Sequence, residues 1–470
     1  MASGSPVTAV ILAAGQGKRL RSHIPKVLHN AAGRPLLIHV LAALDPVPLE
    51  DRIVVTSPGK EIPAAVKAAG FDDVRFVVQD PPRGTGDAVR VALDEHDPGS
   101  GDVLVLCGDT PALRTETLTR VLATHQERDA IATLVTTNVA SARGEGRVLR
   151  DDDGDVDRIV EERDATEAQR AITEINAGVF VFKEPVLREL LQRIRADNAQ
   201  GELYLTDVIG LIRASNGLVV AIAADQDEVA GVNSRSQLAQ VSRSLRRAAC
   251  ERWMDEGVTI VDPASTFIDA SVELTSDVTI LPFTFLEGAT KIAGGALVGP
   301  QARIVDSEVG ENATVSFSVV TASTVGPEAS VGPFASLRPG SRLERGAHIG
   351  SFVETKATTL GEGSKAGHLA YLGDAEIGRD VNIGAGTITC NWDGRQKNPT
   401  VIEDDVYVGS DTMLVAPVRL GARAATGAGS VVRKDVPEDA LAVGAPARII
   451  TGRGNKMDRR GPRPPSEPRQ

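Results

Sequence analysis

Three short stretches hold residues whose types and spacing suit chemistry. SKAGHLAYLGD, residues 364–374, places Lys365, His368 and Tyr371 within seven residues of a chain that has only 7 His and 3 Tyr. Imidazole titrates near neutral pH, so His368 suits proton abstraction from an ammonium or amine. A purely structural histidine in a turn is the alternative. LAAGQGKRL, residues 12–20, carries Gly15 and Gly17, where exposed N–H groups can cradle a phosphate, with Lys18, Arg19 and Lys26 adding positive charge. A plain tight turn needs the same glycines. The stretch is neither GxxxxGK[ST] nor a complete GxGxxG, because Leu20 stands at the last position. The third stretch, DVLVLCGD, ends in Asp109. A carboxylate there suits Mg²⁺, which takes one or two protein oxygens plus substrate phosphates, or it caps the helical pattern next in the chain.

These residues need elements to hold them, and the chain supplies two kinds. Residues 7–235 alternate short apolar runs (VTAVILAA, RIVVTSP, VRFVVQ, DVLVLCGD, GVFVF) with amphipathic segments, which predicts an open, mostly parallel, Rossmann-like α/β sheet. Such sheets bind ligands at the carboxyl ends of their strands, where Asp109 falls. Residues 236–254 place Leu238, Val241 and Leu245 at helical spacing, so 236–256 reads as a linking helix. From about 257 to 450 the period becomes six: Val325, Val331, Leu337, Leu343, Ile349, then Ile377, Ile383, then Ile402, Val408, Leu414, Leu420, with glycine after many of them. A hexapeptide repeat predicts a parallel β-helix, each hexad one strand and a turn, three hexads one triangular coil. The repeat is expected to break at 364–374 and again around 389–399. The tail 451–470 is basic and Pro-rich and is expected to be disordered.

Composition narrows the function classes. Hydrophobic residues make up 42% and charged residues 24%, ordinary for a soluble protein, and the net charge of -12 argues against general nucleic-acid binding. No apolar run approaches the roughly 18 residues of a membrane span. Cys107, Cys250 and Cys390 are far apart and odd in number, which predicts buried, reduced thiols in a cytoplasmic protein rather than disulfides or a metal site.

In the repeat half, Arg338 and Lys356 are 18 residues apart, one full coil, and should stack on one prism face as a pair suited to a sugar phosphate. Lys397 lies near a departure from the repeat, and Tyr371 and Asn382 add hydrogen-bonding groups for hydroxyls. Singly, each cation reads as an ordinary surface charge.

LAAGQGKRL, Lys26, QDPPRGTGDA, LCGDTP, IVEERDA, EINAGVF and GVNSR, in this order, resemble the nucleotidyltransferase domain of bacterial UDP-N-acetylglucosamine pyrophosphorylase. HLAYLGDAEIGRDVNIGAGTITCNWDG resembles the glucosamine-1-phosphate N-acetyltransferase half of the same bifunctional family, and the likeness covers the chain to about 450. The resemblance implies catalysis by Arg19 and Lys26 in one half and His368 in the other, with Glu354 assisting. It puts Leu12, Ala13, Ala14, Gly15 and Lys26 on the nucleotide, and Gln79, Gly84 and Thr85 on uracil. Cys107, Gly108, Gly146, Glu161 and Asn176 fall on the rest of UDP-N-acetylglucosamine, and Asp109 and Asn233 on Mg²⁺. It puts Arg338, Lys356, Tyr371, Asn382 and Lys397 on glucosamine-1-phosphate, and Ala385, Asn391, Trp392, Ser410 and Ala428 on acetyl-CoA. The implied substrates are UTP, N-acetylglucosamine-1-phosphate, glucosamine-1-phosphate and acetyl-CoA, the implied β-helix is left-handed, and the implied assembly is a homotrimer. Departures are Lys18 for a usual Thr, Cys107 and Trp392 for frequent Tyr, and Ala445 near a usual CoA-contacting Arg, with Arg448 as its replacement. Lys365 has no role in the family and no partner one 18-residue coil away, and should face solvent. Rival readings are a single-activity sugar nucleotidyltransferase with an inert β-helix and a nucleotide-sensing scaffold.

Overall fold

The computed structural model describes residues 5–454 except 16, 98, 100, 141 and 143. The end of the basic tail, from 455 onward, and the Lys18 side chain lie outside the described residues. The chain divides into two compact units, 1–245 and 246–470, and the division falls within the helix Arg235–Asp255.

The first unit is a nine-stranded sheet: β1 Val7–Ala13, β2 Asp51–Thr56, β3 Arg75–Val78, β4 Asp102–Cys107, β5 Ala132–Asn138, β6 Arg147–Arg150, β7 Val156–Val160, β8 Glu174–Lys183 and β9 Val219–Ala223. Its order is β9-β5-β8-β4-β1-β2-β3, with β6 and β7 as a hairpin attached to β8. The pairs among β1 to β4 and the pair β9/β5 are parallel, whereas β8 runs antiparallel to β4 and β5. Alternation along β1 decides which core each residue enters. Val10 packs with Val55 and Val105 on one face, while Ala9 and Ile11 pack with Val54 and Leu104 on the other. Because helices cover both faces, the strands read as continuous apolar runs.

The second unit is built of two- to four-residue strands in three stacked sheets, parallel with each sheet taking every third strand until the end, where Arg448–Ile450 folds back antiparallel on Leu441–Val443. This arrangement agrees with the left-handed β-helix that the resemblance implies. The aliphatics of the hexad point inward and are sealed: Val325, Leu337, Leu343, Ile349, Leu360 and Val408 all have 1% exposure or less. Glycine comes directly after Val325, Ile349, Leu360 and Val408 because coils stack so closely. A Cβ on Gly350 would lie 2.0 Å from the Gly367 carbonyl oxygen of the next coil.

One expectation needs correction. Residues 364–374 do not break the repeat: Ala366 and Leu372 occupy inward positions six residues apart with 0% exposure, and their strands pair in register with both neighbouring coils. Alanine at an inward position hid the hexad. The insertion at 389–399 is real, with Trp392 bridging Lys397 across a loop. No helix among the described residues is long and apolar enough to cross a membrane.

Candidate functional sites

At the carboxyl ends of β1, β3 and β4 a cleft of about 730 Å³ opens. Leu12, Ala13, Ala14, Gly15, Arg19, Lys26, Gln79, Gly84, Thr85, Cys107, Asp109, Glu161 and Asn233 line it, as expected from the sequence. Gly108, Gly146 and Asn176 do not line it but back its wall. The Gly108 N–H donates to Leu12 O at 2.9 Å, the Asn176 N–H to Gly146 O at 2.9 Å, and the Asn176 side chain accepts from the Gly178 N–H.

The sequence reading missed Gln200 and Glu202, which also line the cleft. They belong to a segment that wraps the turn before the helix Thr85–Asp94: Leu203 N–H donates to Arg83 O, Gly86 N–H to Leu203 O, and Leu205 N–H to the Thr85 hydroxyl. Only this long-range packing brings them in, and no local pattern marks them. Arg147, 1% exposed, was also missed, although its partners are close in sequence. Its guanidinium donates to Ala142 O and to the carboxylate of Glu162, a residue that lines the cleft. Gly84 is required by space as well as by backbone: its φ is +113° and a Cβ would lie 2.5 Å from Leu203 O. Gly84→Ala should raise the nucleotide KM at least about tenfold by displacing this turn, with activity in the β-helix unchanged, as steady-state assays of each unit would show.

The Lys26 ammonium donates to the Asp109 carboxylate and, at 3.0 Å, to Asn233 Oδ1, and all three side chains face the cleft. Two hard oxygens therefore converge on one positive charge. Although no group of three or more His, Cys, Asp or Glu placed to hold a metal ion occurs among the described residues, a carboxylate and an amide oxygen fit an Mg²⁺ whose remaining ligands are phosphates and water. Burial, reinforced by Asp109, pushes the Cys107 thiol up to about 12, so it stays protonated and is not a nucleophile. Its residue is only partly enclosed because it forms cleft wall. Cys390 is also partly exposed, against the expectation that all three thiols are buried, while Cys250 is buried. Burial raises the Glu161 carboxyl above its ordinary range, and the Thr206 hydroxyl donates to it at 2.9 Å.

On the β-helix, Arg338 and Lys356 do stack. Arg338 N–H donates to Thr355 O at 2.9 Å, and Ser336, Glu354 and Tyr371 align on successive coils of one face. The Arg338 guanidinium donates to Glu354 at 2.8 Å. The Lys397 ammonium beside Lys356 pushes the Lys356 pKa down, and Arg338 adds to the effect. Three cations thus share one outward patch, in which Glu354 pairs with Arg338 and Asp374 partly offsets the repulsion on Lys356. Asn391 donates to Asp374 and, at 3.4 Å, to the Tyr371 hydroxyl, fixing the edge of this patch.

His368 sits at the adjoining corner, exposed, aligned with Ser351 one coil below. The same corner continues upward through Ala385, Ser410 and Ala428. Gly386 N–H donates to Leu369 O, Asp411 N–H to Ala385 O and Gly429 N–H to Ser410 O. Three of the five expected acetyl-CoA residues therefore form a column above His368. Trp392 is 59% exposed on the inserted loop, and Ala445 and Arg448 are exposed near the last strand.

Asn382 departs from its expected companions. It lies on a different face, in a row His348, Lys365, Asn382, Tyr407, and not with Arg338, Lys356 and Tyr371. Lys365 therefore does have coil-matched partners, His348 and Asn382. The coils here are 17 residues long, so an 18-residue count misses them.

A family model described as a MobA-like NTP transferase domain matches residues 9–205. Curated relatives match over nearly the whole length. A bifunctional protein GlmU from Heliobacterium modesticaldum is 48% identical over 93% of this chain and 95% of its own. Its namesake from Thermobifida fusca is 47% identical over 96% and 95%, and that from Mycolicibacterium vanbaalenii 48% over 94% and 92%.

Proposed function

Because the chain belongs to the GlmU family of bifunctional acetyltransferase–uridylyltransferases, we propose that it makes UDP-N-acetylglucosamine for cell-envelope precursors in two steps. The β-helix transfers an acetyl group from acetyl-CoA to glucosamine-1-phosphate. The cleft then joins the product to UTP and releases pyrophosphate. The convergence of Lys26, Asp109 and Asn233 at the carboxyl end of β4 is the observation that carries the cleft reading.

In the cleft, a phosphate oxygen of N-acetylglucosamine-1-phosphate attacks the α-phosphorus of UTP while the bond to the β-phosphate oxygen breaks. No side chain needs to form a covalent intermediate. Arg19 and Lys26 hold the phosphates in line and neutralise charge as it shifts to pyrophosphate. Gln79, Gly84 and Thr85 meet the uracil, and Glu161 meets the N-acetylglucosamine moiety. Mg²⁺ held by Asp109 and Asn233 supplies further charge neutralisation on the triphosphate.

On the β-helix, Arg338, Lys356 and Lys397 bind the acceptor phosphate, relieving their mutual repulsion, and Tyr371 meets its hydroxyls. His368 takes a proton from the acceptor ammonium. The free amine attacks the thioester carbonyl, the C–S bond breaks, and CoA leaves as the thiol once protonated. The column Ala385, Ser410 and Ala428 carries the pantetheine arm, with Asn391 and Trp392 beside it.

We assign the protein to the cytoplasm as a homotrimer. Support for self-association comes from an exposed aromatic column along the His368 corner, where Phe334 and Phe352 are 55% and 61% exposed with ring centroids 5.5 Å apart, continued by Leu369 at 61%. Trimer mates also supply a way for Asn382 of one copy to meet the cationic patch of another. Two assays on purified protein test the assignment: CoA release with glucosamine-1-phosphate, and pyrophosphate release with UTP, Mg²⁺ and N-acetylglucosamine-1-phosphate. Both should be positive, and a silent first assay would leave only a nucleotidyltransferase with an inert β-helix.

A further inference from the structure

Gln79 is 3% exposed and is one of the residues that line the nucleotide cleft. Its amide nitrogen donates at 2.8 Å to the Asp87 carboxylate and at 3.1 Å to the Gly84 carbonyl. A carboxylate and a carbonyl can only accept, so the amide cannot turn over without losing both bonds and setting oxygen against oxygen. Its orientation is therefore dictated by the partners. The nitrogen faces the protein, and Oε1, which takes part in neither bond, is the polar atom left for the cleft.

Asp87 itself never lines the cleft. It is 3% exposed on the first turn of the helix Thr85–Asp94, and the Arg90 guanidinium, one turn on, holds its other oxygen. The carboxylate is thus fixed on one side by Arg90 and on the other by Gln79.

Uracil and cytosine differ at the edge such an acceptor meets. Uracil offers an N3–H donor, whereas cytosine offers a bare N3 acceptor. We propose that Asp87 is a positioning residue that sets the pyrimidine choice: it locks Gln79 with its acceptor toward the base, so the cleft takes uracil and rejects cytosine. This inference rests on the reading that Gln79 meets the base.

The test compares kcat/KM for UTP and for CTP, with N-acetylglucosamine-1-phosphate and Mg²⁺, in the full-length protein and in Asp87→Asn and Gln79→Ala. An asparagine at 87 can donate as well as accept, so the shorter of the two bonds no longer fixes the amide, only the Gly84 carbonyl at 3.1 Å still opposes its turning, and the turned form offers its NH₂ to cytosine N3. The UTP/CTP ratio in Asp87→Asn should fall at least about tenfold, with CTP use rising in absolute terms. A wall that is merely loosened would lower both substrates together and leave the ratio unchanged, and that result overturns the proposal. Gln79→Ala separates the two layers. If its ratio collapses while that of Asp87→Asn holds, Gln79 reads the base but Asp87 does not orient it. If its ratio is unchanged, the base reading fails and the proposal with it. Asp87→Ser, which also removes the acceptor-only group and is smaller, carries the same comparison should melting show that the asparagine variant is unfolded.

Discussion

His368→Ala is expected to lower acetyl transfer about 10²- to 10⁴-fold while uridylyl transfer stays at the parental rate. The first part comes from the chemistry. An ammonium cannot attack a thioester until it loses a proton, and His368 stands at the foot of the Ala385–Ser410–Ala428 column, at the corner adjoining the Arg338–Lys356–Lys397 patch. The second part comes from exposure. His368 is exposed and outside the β-helix core, so alanine there leaves no cavity and should move stability by no more than about 0.5 kcal/mol. CoA release and pyrophosphate release, measured on the same preparation with a melting curve, decide the matter. Undiminished acetylation would remove His368 as the base, and loss of both activities would indicate a folding defect.

Asp109→Ala should have the reciprocal effect, cutting uridylyl transfer about 10²- to 10³-fold with acetylation intact. Asp109 is 9% exposed and its carboxylate faces both the Lys26 ammonium and the Asn233 amide oxygen. Removing it takes away one of two cation-holding oxygens and leaves a half-buried ammonium with a neutral partner, which costs stability in the first unit. Asp109→Asn keeps the shape and one oxygen, so it should melt closer to the parent yet remain defective. Mn²⁺ binding measured by calorimetry in the presence of UTP should weaken in both variants. Retained metal affinity would move the metal site elsewhere in the cleft.

Much of the fold and of both sites was legible in the residues. Inward aliphatics repeat every six positions because each flat strand of the prism shows one side chain to the axis before the chain turns, and that requirement is local. The positions of the glycine loop after β1 and of Asp109 after β4 were legible for a similar reason: a buried parallel strand is a continuous apolar run, and the residues just past its carboxyl end stand at the edge of the sheet where the cleft opens. Other features were not. Ala366 concealed a hexad because alanine reads as neutral wherever it stands, and it counts as core only once it is seen with 0% exposure. Chemistry groups Asn382 with Arg338, Lys356 and Tyr371, whereas its place 11 residues after Tyr371, nearly two hexads on, sets it on another face. Gln200 and Glu202 reach the cleft because their neighbours Leu203 and Leu205 hydrogen-bond to Arg83, Gly86 and Thr85, more than a hundred residues away.

The sequence by itself determined the two architectures, the glycine loop at the cleft, the strand-end carboxylate and the histidine at a corner of the repeat, since each arises from burial or backbone demands within a few neighbouring residues. Only the tertiary structure decided which outward side chains share a face, why the Cys107 thiol stays neutral, and which way the Gln79 amide is turned. Those outcomes depend on the summed length of each coil and on partners such as Asp87 that touch no ligand, and neither can be read from residues taken a few at a time.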